Sequence, residues 1–339
     1  MFDTALLKVE SGHDLTAEES SLCLAEIFKG AIVEEKIVSF LKALQSKGES
    51  VTEILGFAKE LSSRGIAVSG LENAVDTCGT GGSGLDRFNI GTTTAFVLAS
   101  GGYPVAKHGN KGSKKSNGSF DLLDALDVNF DLSPEQEKEI FKKTGLVFLY
   151  ARNHHPDMKI VGPARAKLST RSIFNIIGPL CNPANVQFQV VGISNKELGE
   201  KLIRVLKSLG RKRAIVVYGE PGIDEFSISG PSIYWLLNEK GEISVHHIDV
   251  GIIGIQRRDF DQIPGADAKV NRDLFLKILE GEECDGLLDM VALNAGAAIH
   301  VLGRSVTIID GCNTARELIH SGQTKDFFEE YRNRCNRYL

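Results

Sequence analysis

The chain has 339 residues, 42% hydrophobic and 24% charged, which is the balance of a globular protein with one large domain or two unequal ones. Asp and Glu outnumber Lys and Arg by 44 to 39, and the formal charge of −5 argues against bulk attraction to nucleic acid or to an anionic membrane. The six cysteines are scattered without a C-x-x-C pair, so we expect reduced thiols rather than disulfides or a zinc site.

The first 70 residues predict helices. Thr16, followed three residues later by Glu19, has the spacing of a capping box. Residues 33–48 and 50–65 each show helical periodicity and end in a basic residue and a glycine, as helix C-termini often do. We therefore expect an N-terminal helical domain over residues 1–72. No signal-peptide core precedes it and no run approaches about 18 apolar residues, so we expect a soluble, cytoplasmic protein without membrane association.

From about residue 74 short apolar runs alternate with helical stretches. The predicted strands lie within residues 103–109, 146–151, 188–193, 213–219 and 242–248. Helical patterns at 134–145 and 195–210 separate several of them. This alternation predicts an α/β domain over residues 73–339 with a central mixed or parallel sheet, and ligands at the carboxyl ends of its strands.

A glycine-rich loop at residues 79–84 precedes a predicted helix and matches the literal pattern G-x-G-x-x-G. The helix begins only at Asn89, and no acidic residue lies between Asp86 and Asp121 to bind a ribose, which argues against a dinucleotide. The ATP-binding P-loop pattern is absent as well. Backbone N–H groups of the loop and of the helix N-terminus remain suited to phosphate, with a ligand-free tight turn as the alternative.

Two further stretches favour a phosphate ligand. Residues 105–119 place basic side chains among glycines and serines: Lys107, His108, Lys111, Lys114 and Lys115. Asp224 and Glu225 follow an apolar strand as an adjacent pair of hard oxygen donors, which suits Mg²⁺. A solvated basic loop and a solvent-facing acidic turn are the alternative interpretations. Together the three stretches fit a magnesium–pyrophosphate substrate.

Six motifs follow one another along the chain: "DTCGTGG" (76–82), "VAKHGN" (105–110), "HHPDMK" (154–159), "IFNIIGPLCNP" (173–183), "GIDE" (222–225) and "ALNAGAA" (292–298). In this order and spacing they resemble the anthranilate phosphoribosyltransferase family nearly end to end. The resemblance implies an N-terminal helical domain, joined by helices near residues 165–190, beside a larger α/β domain of the nucleoside phosphorylase/phosphoribosyltransferase class. It also implies an active site between the two and a homodimer formed through the helical part.

The reaction implied by the resemblance transfers the phosphoribosyl group of 5-phosphoribosyl diphosphate to the amine of anthranilate, with Mg²⁺ as cofactor. Such a displacement proceeds through a loose transition state with oxocarbenium character. Its demands are stabilisation of departing pyrophosphate and positioning of the amine. We therefore assign no catalytic nucleophile, and expect small-molecule substrates rather than nucleic acid as the binding partners.

The resemblance also implies roles for individual residues. The residues implied to hold the diphosphate side are Gly79, Thr80, Gly81, Gly82, Asn89, Thr92, Lys107, Lys111, Lys114 and Ser119. Those implied to hold anthranilate are Gly79, His108, Asn110, His155, Arg165 and Gly178, with the planar fork of Arg165 facing the carboxylate. The implied ligands of Mg²⁺ are Asp224 and Glu225.

Three departures from the family pattern fall in the site itself. Ser83 stands where the family has Asp, Gly91 where it has a serine that helps to bind metal, and Lys114 and Lys115 lie where a serine-rich loop is usual. Either the lysines compensate for a weakened metal site and the ordinary chemistry is retained, or the chain is a paralogue with a changed acceptor, a changed phosphate donor or little catalytic activity. A nucleoside phosphorylase and a non-catalytic relative that binds nucleic acid are the remaining alternatives.

Overall fold

The computed structural model of the protein describes residues 1–81, 87–112, 117–251 and 253–339. The α-helices in these ranges are α1 (Phe2–Glu10), α2 (Ala17–Phe28), α3 (Glu34–Lys47), α4 (Val51–Arg64), α5 (Ile90–Ser100), α6 (Ser119–Ala125), α7 (Pro134–Thr144), α8 (Ala151–His154), α9 (Met158–Ala166), α10 (Ile173–Ile177), α11 (Leu198–Ser208), α12 (Ala268–Leu279), α13 (Leu287–Val301), α14 (Ile308–His320) and α15 (Gln323–Cys335). The strands are β1 (Val75–Gly79), β2 (Val105–Gly109), β3 (Leu146–Tyr150), β4 (Phe188–Gly192), β5 (Arg213–Gly219), β6 (Ser232–Leu237) and β7 (Ile243–Ile248).

The N-terminal helices α1–α4 begin and pack as the sequence predicts. The capping box of Thr16 and Glu19 is present at the start of α2, where the Thr16 side chain accepts from the Glu19 N–H. A column of rings fills the space between the helices, with Phe40 stacked on Phe57 at 6.3 Å and Phe57 meeting Phe174 edge-on at 5.9 Å. Because Phe174 belongs to α10, a helix from later in the chain completes this apolar core.

The central sheet orders its strands β3-β2-β1-β4-β5-β6-β7. Strands β1 to β5 run parallel, whereas β6 and β7 are antiparallel to their neighbours. The predicted α/β class with a mixed sheet is thereby confirmed. Alternate residues of β5 enter different cores: Ile215 and Val217 pack with α5 and α13 on one face, whereas Ala214 and Val216 join the core that holds α1–α4.

The strand order changes direction at β1, because β2 lies on one side of it and β4 on the other. Such a switch point leaves a crevice at the carboxyl ends of the two diverging strands, where open α/β sheets bind ligands. Gly79 ends β1 and is paired in register with Gly192, which ends β4. The glycine-rich loop therefore leaves the sheet at the switch point.

The five strands that the sequence predicts are all present, and β1 and β6 are additional to them. All six cysteines lie in described ranges as free thiols. Within the same ranges, no helix is both long enough and apolar enough to span a bilayer.

Candidate active site

Asp224 lies in the crevice at the switch point, where two glycines make room for it and a third donates its N–H. A Cβ on Gly79 would lie 2.2 Å from Asp224 Oδ2, and a Cβ on Gly192 would lie 1.6 Å from the Asp224 carbonyl oxygen. The Gly81 N–H donates to Asp224 Oδ2 at 2.7 Å. The bare backbone of the glycine loop therefore closes around a carboxylate of the protein itself.

Arg87 bridges Asp224 and Glu225. Its Nη2 lies 2.5 Å from Asp224 Oδ1 and its Nη1 lies 2.5 Å from Glu225 Oε2. Burial would raise the pKa of Asp224, but the Arg87 guanidinium outweighs it and holds that pKa below its usual value. For Glu225 burial prevails over Arg87, and with the charge of Asp224 it raises the pKa to about 7. The acidic pair is thus neutralised by a cation from the same chain.

Lys107 brings a second buried positive charge to the start of α5. Its side chain, in a residue only 3% exposed, donates through Nζ to the Thr77 carbonyl oxygen. Gly91 leaves the space, because a Cβ there would lie 3.1 Å from Thr77 O and 3.3 Å from Lys107 Nζ. The position where the family has a serine is therefore next to the ammonium group.

Two buried hydroxyls close to the glycine loop have no hydrogen-bond partner. Thr80 Oγ1 and Thr92 Oγ1 are both inaccessible to solvent and unpaired, and Thr92 stands in the first turn of α5. Buried polar atoms normally find a partner, so each of these hydroxyls is suited to an oxygen of a bound anion. The N-terminus of α5 adds N–H groups and a favourable dipole for the same ligand.

The lysine-rich loop is closed at its base by Asp121. The backbone N–H groups of Gly112 and Gly118 both donate to Asp121 Oδ2 at 2.7 Å. Lys111 points to α6, where its ammonium pairs with Asp124. Ser119 begins α6 directly after the closure. The predicted ligand Lys114, its neighbour Lys115, and Gly82 and Ser83 of the glycine loop lie outside the described residues.

Asn271 ties the exits of both loops together. Its Nδ2 lies 2.9 Å from the Arg87 carbonyl oxygen, 2.9 Å from Asn89 Oδ1 and 2.8 Å from Asn117 Oδ1. Asn117 Nδ2 also donates to the Arg87 carbonyl oxygen at 3.1 Å. The main chain at Arg87 is therefore anchored, and Asn89 takes part in holding the loops together.

Arg171 supports the glycine loop from the opposite side. It donates to the carbonyl oxygens of Thr80 and Gly81, the latter at 2.7 Å, and to Ser194 Oγ at 3.1 Å. With these carbonyl oxygens engaged, the loop backbone is held in one orientation at the end of β1.

His108 and His155 form an uncharged counterpart to this cationic region. Their rings meet edge-on with centroids 5.2 Å apart, and both residues are buried. His155 Nε2 lies 2.9 Å from the Cys181 carbonyl oxygen, whereas His155 Nδ1 and His108 Nε2 have no partner. Burial lowers the pKa of His155 to about 4, against the opposing hydrogen bond to Cys181. Burial and then the nearby His155 lower the pKa of His108 well below its usual value.

The other residues predicted on the acceptor side are placed less closely together. The Gly178 backbone lies beside His108, where it opposes the lowering of that pKa. Asn110 is exposed, and its Oδ1 accepts a hydrogen bond from the backbone N–H of Lys111 at 2.9 Å. Arg165 is half-buried in α9 with its guanidinium 5.6 Å from the centroid of the Phe174 ring, where burial lowers its pKa.

The acidic pair is the candidate metal site. Asp224 and Glu225 supply only carboxylate oxygens and already face a cation, which is the chemistry that a Mg²⁺ ligand set requires. Across residues 1–81, 87–112, 117–251 and 253–339 no group of three or more His, Cys, Asp or Glu side chains could hold a metal. The residues present therefore fit Mg²⁺ as a two-carboxylate site, once Arg87 gives way.

Several residues of the site were not anticipated from the sequence. Arg87, Asn117, Asp121, Arg171 and Asn271 carry the contacts that fix the loops. Arg87 is separated from its two carboxylate partners by 137 and 138 positions, so no local pattern marks it. Asp121, three residues after Gly118 at the start of α6, shows the spacing of a helix-capping residue and was detectable.

The comparisons with known proteins agree with the fold and the motifs. The helical bundle domain model of the glycosyl transferase family matches residues 4–65, and the a/b domain model of that family matches residues 71–325. The anthranilate phosphoribosyltransferase of Persephonella marina is 39% identical over 334 residues, or 98% of either chain. That of Lactococcus lactis subsp. lactis is 41% identical over 318 residues, or 94% of either chain.

Solved structures show the same correspondence. The crystal structure of anthranilate phosphoribosyltransferase from Thermus thermophilus superposes with a TM-score of 0.90 at 33% identity, covering 98% of this chain and 99% of that one. The structure of the enzyme from Saccharomyces cerevisiae, at 22% identity, shares the fold with a TM-score of 0.89 and covers 99% of this chain and 98% of its own. With a family domain matched over most of its length and relatives at about 40% identity end to end, the chain belongs to the anthranilate phosphoribosyltransferase family.

Proposed function

We propose that this protein transfers the phosphoribosyl group of 5-phosphoribosyl diphosphate to the amine of anthranilate, giving N-(5-phosphoribosyl)anthranilate and pyrophosphate in tryptophan biosynthesis. One observation carries the proposal. The glycine loop, the Asp224–Glu225 pair and Lys107 meet at the switch point of the sheet, and His108 follows Lys107 on the same strand. The relatives at 39% and 41% identity are named for this reaction.

The diphosphate would be held by backbone and side-chain donors around the N-terminus of α5. The residues proposed for this side are Gly79, Thr80, Gly81, Gly82, Asn89, Thr92, Lys107, Lys111, Lys114 and Ser119. The unpaired hydroxyls of Thr80 and Thr92 support the assignment. As the bond from the ribosyl carbon to the diphosphate lengthens, negative charge grows on the diphosphate, and the Lys107 ammonium and the helix dipole stabilise it there.

Asp224 and Glu225 are the proposed ligands of Mg²⁺, with the remaining coordination left to substrate oxygens and water. When bound, Mg²⁺ supplies positive charge that neutralises the leaving diphosphate. The carboxylate pair is held for this task by its surroundings, since the Gly81 N–H orients Asp224 and the sheet end at Gly192 supports its backbone.

Anthranilate would bind on the side of the site that holds the two neutral histidines, at Gly79, His108, Asn110, His155, Arg165 and Gly178. With its pKa near 4, His155 is neutral at neutral pH, and its hydrogen bond to Cys181 leaves Nδ1 with a free lone pair. That lone pair is suited to accept an N–H of the aromatic amine. Arg165 is the proposed partner of the carboxylate. Positioning of the amine supplies the rate enhancement on this side, without a covalent intermediate on the protein.

The experiment is an anthranilate-consumption assay. Purified protein, Mg²⁺ and 5-phosphoribosyl diphosphate are mixed with anthranilate, and the loss of anthranilate fluorescence is followed with time. We expect magnesium-dependent loss that the Asp224→Asn and Glu225→Gln double variant abolishes. A folded protein that consumes no anthranilate at saturating substrates contradicts the proposal. A screen of other aromatic amines and donors then tests the paralogue with a changed substrate.

We infer that the protein is a cytoplasmic homodimer joined through the helical domain of residues 1–72, with 73–339 as the catalytic domain. Large apolar side chains on the first helices support this, because Leu7 is 64% and Leu22 47% exposed. Light scattering after gel filtration tests the dimer: Leu7→Glu with Leu22→Glu is expected to give a monomer. Val245→Glu, at a 54% exposed position on β7, is the matched control and should stay dimeric.

A further inference from the structure

The Asp224–Glu225 pair already has a cation. Arg87 reaches it with two nitrogens, one to each carboxylate, both at 2.5 Å. The Arg87, Asp224 and Glu225 side chains are only 18%, 5% and 19% exposed, so water does little to screen the three charges. Withdrawing the guanidinium would leave two adjacent carboxylates buried and unpaired, which is strongly unfavourable. The positive charge of Arg87 therefore stabilises the pair.

The attachment of Arg87 allows its side chain to leave while its backbone stays. Its carbonyl oxygen accepts hydrogen bonds from Asn117 at 3.1 Å and from Asn271 at 2.9 Å. The main chain is also packed closely here, since a Cβ on Gly265 would lie 2.2 Å from the Phe88 nitrogen. Exchange of the guanidinium for another cation is consequently a side-chain rotation about a fixed backbone.

Arg87 occupies one oxygen of each carboxylate, so a metal ion that bridges the pair through Asp224 Oδ1 and Glu225 Oε2 competes with the guanidinium for these oxygens. Each guanidinium nitrogen lies at direct hydrogen-bonding distance from its carboxylate oxygen, which leaves no room for an ion between them. Mg²⁺ also binds carboxylate oxygens directly, at about 2.0–2.1 Å. The Arg87 guanidinium and Mg²⁺ therefore cannot both contact Asp224 Oδ1 and Glu225 Oε2 at the same time.

We propose that Arg87 is a built-in cation that holds the Asp224–Glu225 pair in the substrate-free protein, and that a divalent metal ion binds this pair only by displacing it. The inference rests on the proposed function for the identity of the metal site. It makes Arg87 a positioning residue: it holds the two carboxylates in place without metal, through one contact to each, and it lowers the affinity of the free protein for metal.

The test measures Mn²⁺ binding in the absence of substrates, by the electron paramagnetic resonance signal of free Mn²⁺. Wild type is compared with Arg87→Gln, and we expect the variant to bind one Mn²⁺ at least tenfold more tightly. Adding Asp224→Asn to Arg87→Gln is expected to remove that gain. Arg316→Gln is the matched control, since Arg316 pairs with Asp289 at 2.5 Å in a similarly buried contact between α13 and α14. Its Mn²⁺ affinity should equal that of wild type.

Arg87→Lys provides a second test in case Arg87→Gln does not fold. Lysine keeps the positive charge but lacks the planar fork that reaches both carboxylates. We expect a Mn²⁺ affinity between those of wild type and Arg87→Gln, and a thermal midpoint that rises more with Mn²⁺ in both variants than in wild type. Equal Mn²⁺ affinity in wild type and both variants overturns the displacement, while anthranilate consumption by wild type still upholds the function. Absence of Mn²⁺ binding in every protein overturns the inference together with the proposed metal ligands.

Discussion

The two halves of the site handle polarity in opposite ways. Around the glycine loop the charges are satisfied within the chain, since Arg87 neutralises Asp224 and Glu225, and the Gly81 N–H also serves Asp224. Around His108 and His155 the groups are neutral, and two ring nitrogens have no partner. Under the proposed function, the first half exchanges internal contacts for those of a charged ligand, whereas the second half offers two unpaired ring nitrogens to a polar, uncharged group.

The largest expected effect comes from removing the negative charges of Asp224 and Glu225, beside the glycine loop. The double variant Asp224→Asn and Glu225→Gln keeps the shape of both side chains but leaves no anionic metal ligand. We expect kcat/KM to fall by about 10³-fold, the scale at which a preorganised electrostatic contact contributes to a transition state. Steady-state kinetics with varied Mg²⁺ measure it. Asp289→Asn, at an ion pair away from the site, serves as control. A loss below tenfold would show that the carboxylates are structural.

The half of the site that holds His108 and His155 is expected to make the free energy of unfolding depend on pH. His155 stays neutral in the folded protein down to about pH 4, whereas the unfolded chain protonates it at the ordinary pKa of 6.5. The unfolded state binds the extra proton between these values, so stability is full above the higher pKa and falls as pH drops through the window. The expected slope is about 1.4 kcal/mol per pH unit, or roughly 3 kcal/mol in all.

Urea unfolding at several pH values measures this slope. In His155→Gln the change in the free energy of unfolding with pH should be smaller by about 1.4 kcal/mol per pH unit, the contribution of one proton, because glutamine does not titrate. An unchanged slope in that variant would mean that other groups cause the acid sensitivity.

A smaller effect is expected where the lysine-rich loop closes. Asp121→Ala removes the acceptor of the Gly112 and Gly118 N–H groups. We expect a loss of about 2 kcal/mol in the free energy of unfolding and a raised KM for 5-phosphoribosyl diphosphate. Asp121→Asn retains one acceptor oxygen and should lose less on both measures. Equal values for the two variants would argue that the charge, rather than the accepted hydrogen bonds, closes the loop.

The smallest expected effect is at Gly91. Alanine there improves the propensity of α5 by up to about 1 kcal/mol but crowds Lys107, so we expect near-neutral stability and a loss of turnover of only a few-fold. Gly162→Ala is the control for turnover, because that glycine lies within α9, away from Lys107, with no contact to a Cβ beyond its chain neighbours. It should leave turnover unchanged. A clear gain in the thermal midpoint of Gly91→Ala with unchanged turnover would show that Lys107 is not crowded.

The sequence predicts most of the architecture because helices and buried strands carry local signals. The sequence does not mark β1 as a strand because Asp76 lies buried in it. The Asp76 carboxylate accepts hydrogen bonds from the His108 N–H and from Asn182 and Gln189, the last two more than a hundred residues away. In β6 the six-residue run is too short to tell a buried strand from part of a helix. The ion pair of Arg87 is invisible for the same reason as the burial of Asp76: its cause lies in the three-dimensional neighbours.

The sequence predicts which residues share the site better than it predicts the contacts that each of them makes. The motifs indicate that Asp224, Lys107 and His155 share a site, and the structure brings the first two to the same crevice. They do not indicate what each contacts before substrate arrives. Gly79 and Gly81 illustrate this, because their bare backbone, predicted to serve the diphosphate, is turned towards Asp224.

The closure at Asp121 has a consequence for how such a protein changes over time. Because Gly112 and Gly118 are fastened to one carboxylate, whose own helix continues into the core, the stretch between them begins and ends at fixed points. Asn117 adds a third anchor within the stretch, through its hydrogen bonds with Arg87, Asn89 and Asn271. We therefore expect substitutions between these anchors to disturb the surrounding fold less than substitutions at the anchors themselves, which makes the intervening positions the ones to vary by design.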